Sequence, residues 1–178
     1  MPALCIIDMQ SDFIFSSCGC GVCGISCEKS RKILSNTLRR IKFFKRHQYP
    51  ILIVDYIRCG NVHEDITNAA RGYKGAYFIH KNACDGGKDI INCLSNNNIK
   101  ISDMLVCGVY TCQCVQETAM TLAKNNINIK IAKSAVACNC VGGSEVCVEK
   151  LLNDVRAIEL WRNKFKETNI ASEGGRKL

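Results

Sequence analysis

No stretch of this chain approaches the roughly 20 consecutive apolar residues needed to cross a bilayer, so no membrane span is expected. No basic lead precedes an apolar segment at the N-terminus, where a strand-like pattern begins almost at once. A secretory leader is therefore not expected either. No internal repeat or linker divides the 178 residues. One domain is expected over 1–167, with 168–178 as a tail containing Gly174 and Gly175. Interleaved aromatics and a recognised nucleic-acid module are missing too. Much of the formal charge of +8 lies between Lys29 and Arg46, in Arg31, Lys32, Arg39, Arg40, Lys42 and Lys45, and reads as the solvated side of one helix, because Ile33, Leu34, Leu38, Ile41 and Phe44 recur there at helical spacing.

Cysteine, in contrast, is abundant: 14 residues. Without a leader these read as reduced thiols in a reducing, cytoplasmic compartment rather than as a disulfide framework. The densest group is Cys18, Cys20, Cys23 and Cys27 in a glycine-rich loop. Thiolates there could wrap a soft metal, but the group lacks the paired Cys-x-x-Cys knuckles of ordinary zinc sites and is read as loop.

Short apolar runs alternate with amphipathic stretches. Strands are expected over 3–8, 51–54, 76–79, 104–108 and 127–132. Helices are expected from Lys29 to before Pro50, over Glu64–Ala70, over Lys88–Asn96, over 113–125, and after Ser144 with Val148, Leu151, Leu152 and Val155 on one face. That alternation predicts an α/β fold: a three-layer, Rossmann-like arrangement with a mainly parallel central sheet flanked by helices.

Three segments carry chemistry. Leu4-Cys5-Ile6-Ile7 leads into Asp8. Tyr77-Phe78-Ile79-His80 leads into Lys81. Met104-Leu105-Val106-Cys107 leads through Gly108-Val109-Tyr110-Thr111-Cys112-Gln113 to Cys114, which opens an amphipathic stretch. An acid, a base and a thiol each stand at or past the C-terminal end of an expected parallel strand, the edge where open α/β sheets bind ligands. A cysteine at a helix N-terminus is also favoured as a thiolate by the helix dipole.

The segments Asp8-Met9-Gln10-Ser11-Asp12-Phe13, the Lys81 turn and Gly108–Val115 resemble the isochorismatase-like cysteine hydrolases, a superfamily that includes nicotinamidases and other small-amide hydrolases. The resemblance spans roughly residues 3 to 155 and implies a catalytic triad of Asp8, Lys81 and Cys114. It also implies a cis peptide between Val109 and Tyr110, an oxyanion hole from the backbone N–H groups of Tyr110 and Cys114, and self-association into a homo-oligomer. Phe13 matches a position that can stack on a planar substrate, and Tyr73 and Tyr110 are further candidates for lining the pocket. In this reading Cys114 attacks an amide carbonyl and Asp8 shuttles the proton. A thiol at 114 favours amide cleavage over enol-ether cleavage, which needs no nucleophilic sulfur.

The nicotinamidase pattern weakens at its metal site. Asp55 follows the second strand and His63 lies eight residues later, but Ile57 stands where the intervening histidine belongs. Two ligands make a poor divalent site, so no metal or other cofactor is expected. The leading reading is a metal-independent cysteine amidase acting on a small amide or carbamoyl compound, with no nucleic-acid or membrane partner. A nicotinamidase with a degenerate metal site is the second. A non-catalytic binding or thiol-rich metal-handling module on the same fold is the third. A disulfide between Cys112 and Cys114 would close a strained ring and is not expected.

Overall fold

The computed structural model describes residues 1–14, 25–138 and 143–173. The loop cysteines Cys18, Cys20 and Cys23 lie outside these residues, as do 174–178.

Five strands form one parallel sheet: β1 (Pro2–Ile7), β2 (Ile51–Tyr56), β3 (Ala76–Lys81), β4 (Asp103–Val109) and β5 (Asn128–Ala137). Their spatial order is β3-β2-β1-β4-β5. Chain direction across the sheet reverses between β1 and β4, and a ligand crevice is expected just beyond the carboxyl ends of that pair. Ala3 to Ile7 and Ile51 to Val54 are buried throughout, as unbroken apolar strands must be when both faces are covered.

After the short α1 (Ser11–Ile14) comes α2 (Cys27–Arg46). Ser26 caps α2 by accepting from the Lys29 N–H at 3.3 Å. Glu28 in its first turn and Lys45 and Arg46 in its last complement the helix dipole. Its buried stripe is Ile33, Leu34, Ile41 and Phe44, with Ser30 and Thr37, and it packs across β1, β2, β4 and β5 and against α3 (Glu64–Ala70). The helices α4 (Gly87–Asn96), α5 (Gln116–Lys124) and α6 (Gly143–Glu173) form a second contiguous group. The expected α/β architecture is thus present, with all strands parallel.

Several boundaries differ from the sequence reading: β2 runs on to Tyr56, and α6 continues to Glu173 into the expected tail. β5 continues past residue 132 through exposed Lys133 and Ser134, because Val136 and Ala137 resume pairing with Gly108 and Val109 after a shift in register. β3 extends through His80 and Lys81, since its pairing with Asp55 and Tyr56 of β2 persists to that point.

At Gly108 the backbone of β4 lies against Ile7 of β1 with no room for a side chain. The glycine φ is +138°, and a Cβ there would stand 2.0 Å from the carbonyl oxygen of Ile7. Only glycine combines that backbone with that approach. The contact sets the spacing of the two strand ends that carry Asp8 and Cys114.

Candidate active site

Asp8 follows β1 with a φ of +54°, a left-handed conformation that aspartate tolerates better than most side chains. Its N–H donates to the Val54 carbonyl at 2.8 Å, fixing the turn to β2. Lys81 ends β3 and is fully buried. Its Nζ lies 2.9 Å from Asp8 Oδ2, donates to the carbonyls of Ala83 and Cys84 at 3.1 Å each, and sits 5.0 Å from the centre of the Tyr56 ring. A buried ammonium is tolerated only with such compensation.

Cys114 lies in a π-helical turn, Thr111–Val115, that runs straight into α5. The Tyr110 carbonyl accepts from Gln113 N–H at 3.0 Å and Val115 N–H at 3.2 Å. Wide turns of this kind recur where a helix must present a functional side chain. The helix behind it is anchored by Val115, Ala119, Leu122 and Ala123, all fully buried.

The thiol faces both partners, and each one's titration responds to the others. Burial and then the Asp8 carboxylate push the Cys114 thiol well above its ordinary range, and the opposing pull of Lys81 is smaller. Burial also raises Asp8, with Lys81 opposing. For Lys81 burial acts downward, but Asp8 and Cys114 together outweigh it and hold the ammonium above its ordinary range. The direction of this shift favours the thiol, opposite to the thiolate that the helix-end argument predicts. Here the adjacent carboxylate and the loss of water outweigh the dipole.

A cavity of about 500 Å³ opens over this group, walled by Asp8, Phe13, Tyr56, Cys84, Tyr110 and Cys114 among others. Its size suits a small molecule. Phe13 and Tyr110 meet edge to face, ring centres 5.1 Å apart at 88°. A larger cavity of about 750 Å³ lies between the starts of α2 and α6 and β5. Its walls, including Lys29, Lys32, Lys133, Glu145 and Glu149, bring no acid–thiol pair together, so the smaller cavity is the candidate site.

Asp8, Lys81, Cys114, Phe13 and Tyr110 are thus brought together. Tyr73 is not. Its hydroxyl donates to the Tyr49 carbonyl at 2.8 Å, beside the N-terminal ends of β2 and β3, the edge opposite Asp8 and Cys114. The expected cis bond is also absent: the Val109–Tyr110 peptide is trans. The sharp exit from β4 is made instead by the positive φ of Gly108 and of Tyr110, at +138° and +61°. The placement of a Tyr110 N–H that a cis bond would create does not follow.

The weak metal pair is rearranged as well. Asp55 meets His80 across β2 and β3, Oδ1 to Nδ1 2.6 Å. His63 caps α3, accepting from the Asp65 N–H at 3.2 Å. Cys112 departs from the reduced-thiol reading, because it is disulfide-bonded. Its partner is not Cys114, which is a free thiol.

One organising residue escaped the sequence reading. Gln10 is fully buried. Its amide donates to the carbonyls of Tyr56 at 3.1 Å and Gly60 at 2.7 Å, and to that of Cys59. Its Oε1 accepts from the Tyr56 N–H at 2.8 Å. This side chain ties the end of β2 and the loop after it, with the cavity residues Tyr56 and Cys59, to the end of β1, beside the backbone bonds from Ser11 N–H to the Asn61 carbonyl and from His63 N–H to the Met9 carbonyl.

A parallel α/β sheet with an acid, a lysine and a thiol gathered at its central switch point defines a class of candidate hydrolases. A family model described as the isochorismatase domain matches residues 2–145, and the chain belongs to that family. No curated protein sequence matches it. Among solved structures, the nicotinamidase from Staphylococcus aureus is similar at 21% identity and a TM-score of 0.70, covering 86% of this chain and 96% of that one. The N-carbamoylsarcosine amidase from Thermoplasma acidophilum is similar at 23% identity and a TM-score of 0.61, covering 77% and 84%. The MAR1 ribonuclease from Caenorhabditis elegans is similar at 13% and 0.69, covering 86% and 73%. Three different activities at such identities mean that the likeness shows the fold, while the family and its amidase neighbours support a hydrolase.

Proposed function

We propose that this chain is a cysteine-dependent hydrolase that cleaves the C–N bond of a small amide or carbamoyl compound through a thioester on Cys114. The observation that carries this is the buried Asp8–Lys81 pair, 2.9 Å apart, set against the Cys114 thiol on the wall of an open cavity of about 500 Å³. A binding module has no use for a buried ion pair beside a free thiol, and burying one is costly.

Because the thiol is held protonated, its proton leaves as the sulfur attacks. Asp8 takes it, acting as general base, and Lys81 keeps that carboxylate available by opposing the effect of burial. Carbonyl oxygen charge then develops beside the positive end of the Thr111–Val115 turn. The Cys114 N–H is the donor retained from the expected oxyanion pair. Asp8 returns the proton to the departing amine. Water, deprotonated by the same carboxylate, hydrolyses the thioester and regenerates the thiol. Phe13 and Tyr110 supply an aromatic wall suited to a planar acyl group.

The test is ammonia release from a panel of small amides, carbamoyl compounds and nicotinamide, with Cys114→Ala as the blank. Turnover of at least one panel member by the parent and none by the variant supports the reading. Equal release by both sinks it.

A further inference from the structure

Three cysteines that the hydrolysis does not use converge beside the reactive turn. Cys112 belongs to the turn itself, Cys138 follows β5, and Cys147 lies near the start of α6. Their sulfur atoms all lie within 4.8 Å of one another. Among the described residues no other group of three or more cysteine, histidine or carboxylate side chains converges in this way. We propose that Cys112, Cys138 and Cys147 bind a thiophilic divalent metal ion, of the Zn²⁺ type, when the protein is reduced, and that metal binding and the disulfide at Cys112 exclude each other.

The geometry needs little adjustment. Zinc–sulfur bonds of about 2.3 Å place the sulfurs of a tetrahedral site about 3.8 Å apart. Sulfurs already within 4.8 Å reach that spacing by moving less than the length of one bond. Cys138 and Cys147 are buried, so rotamers are already restricted and little entropy remains to be lost. Three thiolates and a divalent ion leave one net negative charge. Lys29 of α2 and Lys150 of α6 both act electrostatically on Cys147 and offset it. Cys112 and Cys138 also line the 500 Å³ cavity, which gives an ion and its fourth ligand, a water, a route in.

The chemistry balances. A small-molecule thiol reduces the disulfide at Cys112: two molecules become one disulfide, and the two protein sulfurs each gain a proton. The three thiols then lose three protons to solvent as three metal–sulfur bonds form, with no change in the oxidation state of the metal. The bound ion ties the turn bearing Cys114 to β5 and α6. This site is separate from the Asp55–His80 pair, and it stands whether or not the hydrolase proposal does.

The experiment uses full-length protein reduced with excess thiol, stripped with a chelator, and freed of both. Zn²⁺ is titrated against a chromogenic chelator, and Co²⁺ is added in parallel to look for thiolate-to-metal charge-transfer absorption. Alkylation of the parent protein with and without Zn²⁺ is then mapped by peptide mass. One equivalent of Zn²⁺ should bind, the charge-transfer band should appear, and labelling of Cys112, Cys138 and Cys147 should fall about tenfold or more while Cys27 and Cys93 are unaffected. Cys138→Ser and Cys147→Ala should each weaken binding by about 100-fold, and Cys93→Ala should not. The mapping on the parent keeps the proposal testable should a core variant misfold. Protection confined to Cys18, Cys20 and Cys23, zinc lost on His80→Ala instead, or equally tight binding by protein with the Cys112 disulfide intact would each overturn it.

Discussion

Lys81 is the residue on which the site turns. Among the described residues it is the largest side chain to be fully buried, and it is a charged one. Replacing it with alanine leaves Asp8 buried without a counter-charge and shifts that carboxyl further toward its neutral form, which cannot accept a proton. Lys81→Ala should therefore lower kcat/KM by several orders of magnitude. Asp8→Asn should be nearly as severe, because an amide cannot carry the proton to the leaving amine. The double variant should be little worse than either single one, since groups acting as a unit are not additive. Steady-state kinetics on any substrate from the panel measures all three.

The same residues set the pH dependence. Asp8 must be ionised to act as base, and its pKa is raised, so activity should be lost as pH falls through a midpoint above the ordinary carboxylate range. Lys81 must be charged, and its pKa is also raised, so that requirement fails only above the ordinary lysine range. A kcat/KM profile with an acid limb centred at or below the usual aspartate value would contradict this assignment.

At the scale of elements, the two central strand ends are spaced by Gly108. Gly108→Ala places a methyl carbon 2.0 Å from the Ile7 carbonyl oxygen, on a backbone that alanine resists. The strands must separate, and a loss of roughly 4 kcal/mol or more is expected, or failure to fold. Chemical denaturation against the parent measures it. Gln10→Ala removes the side-chain clamp on the end of β2 and the loop after it, and leaves part-buried backbone groups of Tyr56, Cys59 and Gly60 without that partner. A cost of about 1–2 kcal/mol is expected from the same experiment.

Elements were legible where the signal was local. Unbroken apolar runs announced β1, β2 and β4, and the helical stripe of α2 announced its buried face. The three chemical residues were legible because each stands where such a run stops. What depended on register was not. The pairing of Asp55 with His80 follows from β2 lying beside β3 in one alignment, and no spacing within either segment reveals it. Tyr73 was misplaced for a related reason: aromatic character marks a lining residue, but only topology says which edge of the sheet it lines. Gln10 stood in view within the Asp8 segment, yet its partners lie 46 to 50 residues away.

At the scale of the molecule, the fold followed from the order of elements, while the disulfide at Cys112 did not, since bonding among 14 cysteines is decided by which sulfurs the packed chain brings together. No described helix is long and apolar enough to cross a membrane. Asp55 is engaged by His80, and Ile57 is exposed beside them, so hydrolysis is proposed to need no divalent ion there. With the Cys112 disulfide intact, which keeps an ion from the thiolate site, treatment with a chelator should leave turnover largely intact, and its complete loss, with recovery on adding a divalent ion, would favour the nicotinamidase reading. Family likeness also leads us to propose self-association. Light scattering should then report a multiple of the 19.7 kDa chain, and the monomer mass at working concentrations would count against it.

The central claim is that Cys114 carries the acyl group, and rapid-quench mass spectrometry reads it directly. Parent protein is mixed with excess of the best panel substrate, quenched in acid within the first turnover, digested and mapped. The account predicts a mass gain equal to the acyl fragment, confined to the peptide bearing Cys114, removed by hydroxylamine and absent from Cys114→Ala. An acyl group on any other residue, or ammonia release at the parent rate by Cys114→Ala, would contradict it.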